Sequence, residues 1–262
     1  MQIQTNSFLV TGGASGLGEA VVRAIVSQGG NVVIADLNDT TGQALVDELG
    51  DNARFIRCDI TSGDEVQAAV DLAEQAFGGL QGSINCAGIV VVQKLLDREN
   101  NPADLDAFSR GINVNLVGSF NVARLVAASI ARRVAAASSD HSTEKNADQG
   151  VIINTASIAA FDGQVGQASY ASSKAGVVGL TLPLARELAR HGIRVMTIAP
   201  GVFATPMMES IPEKAREQLE AAVPYPKRLG APNEFAKLVM HIIDNAYLNG
   251  EVIRLDGAIR MI

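Results

Sequence analysis

The sequence predicts an α/β fold in which one doubly wound, seven-stranded parallel sheet carries helices on both faces. Short apolar runs alternate along the chain with longer amphipathic segments, the pattern of repeated βαβ units. A glycine-rich turn joins the first predicted strand to the first helix. The 262 residues are 47% hydrophobic and 19% charged, which is enough apolar material for a large core. Because no linker interrupts the alternation, residues 1–262 are predicted to form a single domain.

Each element follows from the length and periodicity of its segment. Continuous apolar runs of about four to eight residues indicate strands buried on both faces. In chain order these strands are Phe8–Thr11, Asn31–Asp36, Arg54–Cys58, Ser83–Cys86, Val151–Thr155, Ile193–Ala199 and Val252–Leu255. Apolar residues at helical spacing predict helices at 17–28, 39–49, 62–77, 106–133, 168–190 and 232–244. Right-handed crossovers between parallel strands complete the predicted topology.

Two longer connections interrupt this alternation. Residues 138–149 are polar and predict a solvated surface loop. Residues 201–228 contain methionines and prolines where a short loop would suffice. Since extended insertions after the carboxyl ends of strands commonly cover substrates, the stretch at about 203–226 is predicted to be a substrate lid.

Composition argues against several classes of partner. The net charge of −7 disfavours a nucleic-acid surface, which needs clustered basic residues. The two cysteines cannot form a disulfide framework, and the three scattered histidines lack metal-ligand spacing, so no metal is predicted. No apolar run reaches the roughly 18 residues of a membrane helix, so no membrane association is predicted. The start MQIQTNSFLVTGG enters the first strand almost at once, which predicts a cytoplasmic location.

The glycine-rich turn predicts a nucleotide site. Residues 11–18 read TGGASGLG and lie between the first predicted strand and the first predicted helix. Glycines there permit a tight turn and a close approach of the backbone to a ligand, and the helix N-terminus attracts a pyrophosphate. The candidate contacts are Gly12, Ser15, Gly16, Leu17 and Gly18.

A carboxylate at the end of the second strand indicates which dinucleotide is preferred. Asp36 closes the run VVIAD, 18 residues beyond Gly18. It is expected to accept hydrogen bonds from the adenosine ribose and to repel a 2′-phosphate. Leu37 and Asn38 follow instead of an arginine, so NAD is predicted over NADP. The alternative role of Asp36 is a plain helix N-cap.

Tyr170 and Lys174 are the strongest catalytic candidates. They lie four residues apart in YASSK, which places them on one helix face, and Ser157 lies thirteen residues upstream of Tyr170. A free tyrosine has a pKa near about 10, and a neighbouring cation is expected to lower the pKa of Tyr170 toward neutrality. Ser157 would hydrogen-bond a substrate oxygen held against the phenol. A tyrosine and a lysine at this spacing occur by chance in many helices, so the catalytic interpretation depends on the remaining motifs of the chain.

The chain resembles the short-chain dehydrogenase/reductase family over essentially its whole length. Its glycine spacing, T-G-x-x-x-G-x-G, is looser than the G-x-G-x-x-G of other dehydrogenases. The stretch 85–88, NCAG, is similar to the family's N-N-A-G element, with Cys86 replacing the second asparagine. Further family positions are matched in the same order along the chain. They are Asn115, then Ser157, Tyr170 and Lys174, and then Pro200-Gly201 followed by Thr205. The resemblance implies a Rossmann fold and an oxidoreductase.

The resemblance also implies a role for each matched residue. Tyr170 would be the general base in alcohol oxidation and the general acid in ketone reduction. Lys174 would lower its pKa and hold the nicotinamide ribose, Ser157 would orient the substrate oxygen, and Asn115 would position a water in a proton relay. The further cofactor contacts implied are Asp59, Ile60, Asn85, Ala87, Gly88, Pro200, Val202 and Thr205.

The implied substrate is a short or branched (S)-3-hydroxyacyl-CoA, which would be oxidised to the 3-ketoacyl-CoA with NAD. Gln164, Phe203 and Met207 are the candidate substrate contacts. A steroid or other secondary alcohol oxidised by the same residues is one alternative, and a structural or regulatory subunit that retains a nucleotide site is another. The resemblance further implies a homotetramer, and it alone would allow a mitochondrial location.

Overall fold

A computed structural model describes residues 1–138, 148–209 and 211–261. In this part of the chain seven parallel strands form one sheet, hydrogen-bonded in the order β3-β2-β1-β4-β5-β6-β7. The strands are β1 (Ser7–Thr11), β2 (Asn31–Asp36), β3 (Ala53–Arg57), β4 (Gly82–Asn85), β5 (Gly150–Thr155), β6 (Ile193–Pro200) and β7 (Val252–Leu255). The order reverses between β1 and β4, where parallel sheets of this kind open a crevice.

Helices connect the strands and flank the sheet. They are α1 (Gly16–Ser27), α2 (Asp39–Leu49), α3 (Gly63–Phe77), α4 (Leu105–Ile112), α5 (Ser119–Ser138), α6 (Ala168–Leu188), α7 (Pro206–Glu209), α8 (Glu213–Ala221) and α9 (Pro232–Asp244). Polar side chains cap the N-termini of several helices: Asn38 accepts a hydrogen bond from the Thr41 amide at the start of α2, and Ser62 accepts one from the Glu65 amide at the start of α3. Such N-caps satisfy amides that have no partner inside the helix.

The core lies on both faces of the sheet. Within β1 the side chains of Phe8 and Val10 pack toward α1 and α9, whereas Leu9 packs toward α3 and α5. All three are fully buried. Alternate side chains of a strand point to opposite faces, so a strand covered on both sides must be apolar at every position. The predicted doubly wound α/β fold is therefore confirmed.

The predicted elements recur with their ends displaced by a few residues. The predicted helix at 106–133 is divided: α4 and α5 are joined by wider, π-helical turns at Asn113–Gly118. Hydrophobic periodicity does not distinguish such turns from an α-helix. Two short helices that were not predicted, α7 and α8, lie in the stretch predicted to be the lid. The predicted loop at 138–149 falls almost entirely outside the described residues.

One helical stretch, Leu105–Ala137, is long and apolar enough to cross a membrane by length and composition. It is also 56% buried over its most apolar window, and its residues Val122, Val126 and Ile130 pack against the sheet. That burial is typical of a core helix in a globular domain.

Candidate active site

The glycine-rich turn lines a cavity of about 360 Å³ at the carboxyl ends of β1 to β4, called here the glycine-turn cavity. Gly12 has a φ of +62°, and a Cβ there would lie 2.7 Å from the Ala87 nitrogen. A Cβ on Gly18 would collide with the Gly12 carbonyl oxygen. Side chains at either position would force the turn open. The cavity wall contains all five predicted turn contacts: Gly12, Ser15, Gly16, Leu17 and Gly18.

Asp36 stands at the end of β2 on the rim of the same cavity. Its carboxylate accepts hydrogen bonds from the Ala14 amide at 3.0 Å and the Asn38 amide at 3.1 Å. Asn38, and not Asp36, is the N-cap of α2. The helix-cap alternative is therefore wrong, and the carboxylate is held at the cavity by backbone amides.

The other predicted contacts of this region divide into two groups. Asp59, Ile60, Ala87 and Gly88 line the glycine-turn cavity. Asn85 does not: it is 2% exposed, and its Nδ2 donates to Asn154 Oδ1 at 2.8 Å across β4 and β5. This hydrogen bond ties β4 to β5, and a cofactor contact at Asn85 stays a prediction. Asn85 is the last residue of β4, and the residues that follow it reach the cavity.

The glycine-turn cavity fits a dinucleotide. Its glycines leave room for a phosphate against the backbone, and the N-terminus of α1 points positive charge at that space. Asp36 and Asp59 supply acceptors for hydroxyl and amino groups. Thr205 and Met207 close the other side, from the predicted lid.

Ser157, Tyr170 and Lys174 meet in a second cavity of about 230 Å³, called here the triad cavity. Ser157 follows β5 and accepts a hydrogen bond from the Ala159 amide at 3.1 Å. It also hydrogen-bonds Tyr170, which lies in the first turn of α6. Lys174, 5% exposed, donates from Nζ to the Thr155 carbonyl at 2.8 Å. The sequence-predicted trio is thus brought together by β5 and α6.

The electrostatics of the trio differ from the sequence-based expectation. Burial raises the pKa of Tyr170 above its ordinary value, and the hydrogen bond from Ser157 opposes that shift. Burial also lowers the pKa of Lys174 to about 8, while the nearby Cys86 acts to raise it. Lys174 Nζ is 6.0 Å from the centre of the Tyr170 ring. The pKa of Tyr170 is therefore raised and not lowered as expected, because desolvation of the buried phenol outweighs the hydrogen bond from Ser157.

Asn115 connects the trio to the loop after β4. It is fully buried in the π-helical turns, and its side chain holds both backbone groups of Ile89, at 2.8 and 2.9 Å. Its Nδ2 also donates to Ser173 Oγ at 3.0 Å. A Cβ on Gly88 would lie 3.0 Å from Asn115 Oδ1 and 3.3 Å from Lys174 Nζ, so both groups face Gly88. π-Helical turns are frequent at functional sites, where they redirect a side chain.

The triad cavity is continuous with the glycine-turn cavity through Leu17, Cys86, Gly88, Thr205 and Met207. The predicted contacts Gln164, Pro200, Val202, Phe203 and Met207 all line it. Phe203 is nevertheless mostly packed against Phe235, edge to face at 6.5 Å, so only part of its ring faces the cavity.

The predicted lid supplies much of the apolar wall of the triad cavity, through Phe203, Met207, Met208, Ile211 and Leu219. Sequence reasoning did not single out three further wall residues, Ile158, Gln167 and Met261. They belong to no motif, and their position follows only from the packing of the loop after β5 and the segment after β7. Among the described residues no group of three or more His, Cys, Asp or Glu side chains is placed to hold a metal ion.

The buried lysine predicts a stability cost that varies with pH. The pKa of Lys174 falls from an ordinary 10.5 to about 8 in the folded chain, so the ammonium destabilises the fold below about pH 8. Stability should rise as the pH increases from about 8 to 10.5, because the unfolded chain then binds the additional proton. Lys174→Met should therefore stabilise the protein by about 1–3 kcal/mol at about pH 7, after the loss of the bond to Thr155 is allowed for.

Equilibrium denaturant unfolding at about pH 7 and about pH 10 measures this effect. The gain from Lys174→Met should shrink at the higher pH. Lys237→Met, at an exposed position of α9, is the matched control and should leave the free energy of unfolding unchanged at both pH values. A destabilised Lys174→Met protein at both pH values would contradict the assigned burial cost.

Together the sheet order, the glycine-rich turn and the serine–tyrosine–lysine set define a dinucleotide-dependent oxidoreductase. The family model described as short chain dehydrogenase matches residues 6–216. The chain belongs to the short-chain dehydrogenase/reductase family.

Particular relatives are similar over nearly the whole chain. A 3-hydroxyacyl-CoA dehydrogenase type-2 from Bos taurus is 51% identical over 97% of this chain and 94% of its own. The protein of the same description from Homo sapiens is 50% identical over the same shares. A crystal structure of 3-hydroxyacyl-CoA dehydrogenase type-2 from Mycobacterium avium matches with a TM-score of 0.90 and 47% identity, covering 98% of this chain and 97% of that one.

Proposed function

We propose that this protein oxidises short or branched (S)-3-hydroxyacyl-CoA to 3-ketoacyl-CoA with NAD. The observation that carries the proposal is that the cavity holding Tyr170 and Lys174 is continuous with the glycine-turn cavity, with which it shares Cys86, Gly88 and Thr205. A secondary alcohol held against Tyr170 would stand at the junction with the dinucleotide site. The similarity to 3-hydroxyacyl-CoA dehydrogenases supports the choice of substrate.

Within this proposal the chain's own residues move the proton. NAD, when bound, supplies the hydride acceptor. Ser157 donates a hydrogen bond to the substrate oxygen and keeps it beside the Tyr170 oxygen, which in its phenolate form takes the alcohol proton and becomes the hydroxyl. The ammonium of Lys174 stabilises the phenolate that abstracts this proton and holds the nicotinamide ribose. Asn115 orders the loop at Gly88 and Ile89 and serves the relay that carries the proton away from Lys174.

The preference for NAD rests on Asp36. Its carboxylate stands on the cavity rim and is followed by Leu37, which is 56% exposed and offers no positive charge. A ribose 2′-hydroxyl donates to such a carboxylate, whereas a 2′-phosphate is repelled by it.

The test is the rate of NADH formation with (S)-3-hydroxybutyryl-CoA, a branched 3-hydroxyacyl-CoA and a hydroxysteroid, measured side by side. The proposal expects kcat/KM for an acyl-CoA to exceed that for the steroid by about tenfold or more, or some 1.4 kcal/mol. Turnover of the steroid or a simple secondary alcohol alone would favour the alternative substrate, which the apolar lining of the triad cavity also suits. Absence of turnover with every substrate would favour the subunit that only retains a nucleotide site.

We further propose that the protein is a homotetramer and that it is located in the cytoplasm. Sedimentation of the purified protein at several concentrations tests the tetramer, and a concentration-independent monomer would refute it.

A further inference from the structure

Arg254 lies at the centre of a group of charges between β7 and the loop that follows Ser157. Its Nη2 donates to Asp162 Oδ2 at 2.6 Å and its Nε to Asp256 Oδ2 at 2.7 Å. The guanidinium also stands over the Phe161 ring, 5.3 Å from its centre. Neither the motifs nor the proposed reaction uses these residues.

The same group fixes the segment after β7. Arg254 Nη2 donates to the Ile259 carbonyl at 3.1 Å, and Asp162 accepts a hydrogen bond from the Met261 amide. The Asp162 backbone amide bonds the Ile158 carbonyl at 2.9 Å, within the turn that begins at Ser157. Arg254 and Asp162 therefore tie residues 259–261 to the Ser157 turn, and this set of contacts is called here the Arg254 latch.

The apolar side of the tied segment faces the triad cavity. Ile259 is 1% exposed and packs with Ile158 and Val223, with Val202 and Met261 against the same cluster. Met261, Ile158 and Val202 all line the triad cavity. Residues 259–261 lie outside any helix or strand, so their position depends on the side chains that tie them down.

We propose that the Arg254 latch is a specificity device that holds Met261 against the triad cavity and so limits the length of acyl chain accepted. Arg254 and Asp162 act as positioning residues, and Met261 is the group that meets the substrate. This inference rests on the proposed function, because it takes the triad cavity to be the acyl site.

The geometry suits a latch better than a plain surface ion pair. The side chains of Arg254, Asp162 and Asp256 are only 22%, 17% and 7% exposed, so water screens them less than it would an exposed pair. The adjacent guanidinium lowers the pKa of Asp162, which keeps the carboxylate charged. Removing Arg254 would leave Asp162 without its ion-pair partner and the Ile259 carbonyl without its donor, while Asp256 would keep Arg260 at 3.1 Å; this loss favours release of the segment.

Selectivity between (S)-3-hydroxybutyryl-CoA and (S)-3-hydroxydecanoyl-CoA measures the effect. Met261→Ala should raise the ratio of kcat/KM for the longer substrate over the shorter by about tenfold, since the wall recedes. Arg254→Gln should do the same, chiefly through KM, because Arg254 does not touch the reacting atoms. The double variant should change the ratio no more than either single change. Arg23→Gln, which removes an arginine ion pair from the exposed face of α1, is the control and should leave the ratio unchanged.

Hydrogen exchange supplies a readout that needs no turnover. Arg254→Gln should speed exchange of the amides at 259–261, and Arg23→Gln should not. Unchanged exchange there would overturn the latch. An equal fall in kcat/KM for both substrates in Arg254→Gln would also overturn it. The same holds if the effects of the two single changes on the substrate ratio multiply in the double variant. A wild-type protein that oxidises neither substrate would instead contradict the proposed function, while faster exchange in Arg254→Gln would still support the latch.

Discussion

Tyr170→Phe is expected to lower kcat by about 10²–10⁴-fold, the usual contribution of a positioned general base. The substitution removes only the hydroxyl that Ser157 bonds. The ring, the α6 backbone and the Lys174–Thr155 hydrogen bond stay in place. Affinity for NADH should therefore change little, which a fluorescence titration measures beside the steady-state rate of NADH formation.

Tyr247→Phe is the matched control, because Tyr247 is 99% exposed and lines neither cavity. It should retain full activity. A Tyr170→Phe protein with undiminished kcat would show that another group takes the proton, and the assigned mechanism would be wrong.

The second large effect concerns the choice of dinucleotide. Asp36→Asn combined with Leu37→Arg is expected to shift the ratio of kcat/KM for NADP over NAD by roughly 10²-fold or more. The change replaces a charge that repels the 2′-phosphate with one that attracts it, a difference of about 1–4 kcal/mol for each charge pair at contact distance. Steady-state rates with both cofactors, at one fixed acyl-CoA concentration, give the ratio.

Asp39→Asn is the control for this pair. Asp39 begins α2 close by and pairs with Arg57 at the surface, at 3.7 Å, so its loss should leave the ratio near the wild-type value. The Asp36→Asn protein keeps one acceptor for the Ala14 and Asn38 amides, which limits the loss of stability. A double variant that still prefers NAD as strongly as the wild type would contradict the role given to Asp36.

Local patterns sufficed for much of the site. The TGGASGLG turn and Asp36 could be recognised because glycine conformation and a strand-end carboxylate are properties of a few neighbouring residues. Both line the cavity where they were predicted to lie. The Tyr170–Lys174 spacing is likewise local to α6. The partner of Asn85 could not be predicted in the same way, because its hydrogen bond to Asn154 depends on the register of β4 and β5.

The sequence by itself determined the α/β class, the order of strands and helices along the chain, the glycine-rich turn, and the grouping of Ser157, Tyr170 and Lys174 as one candidate site. Each of these depends on periodicity or on short-range spacing, which a single chain displays directly. Only the tertiary structure decided in which direction the pKa values of the buried groups shift and which residues form the wall of the triad cavity. The pKa values of Tyr170 and Lys174 move with burial, and burial is a property of the whole fold. Arg254 and Asp162, which we propose hold the wall at Met261, are 92 positions apart in sequence and are joined only by folding.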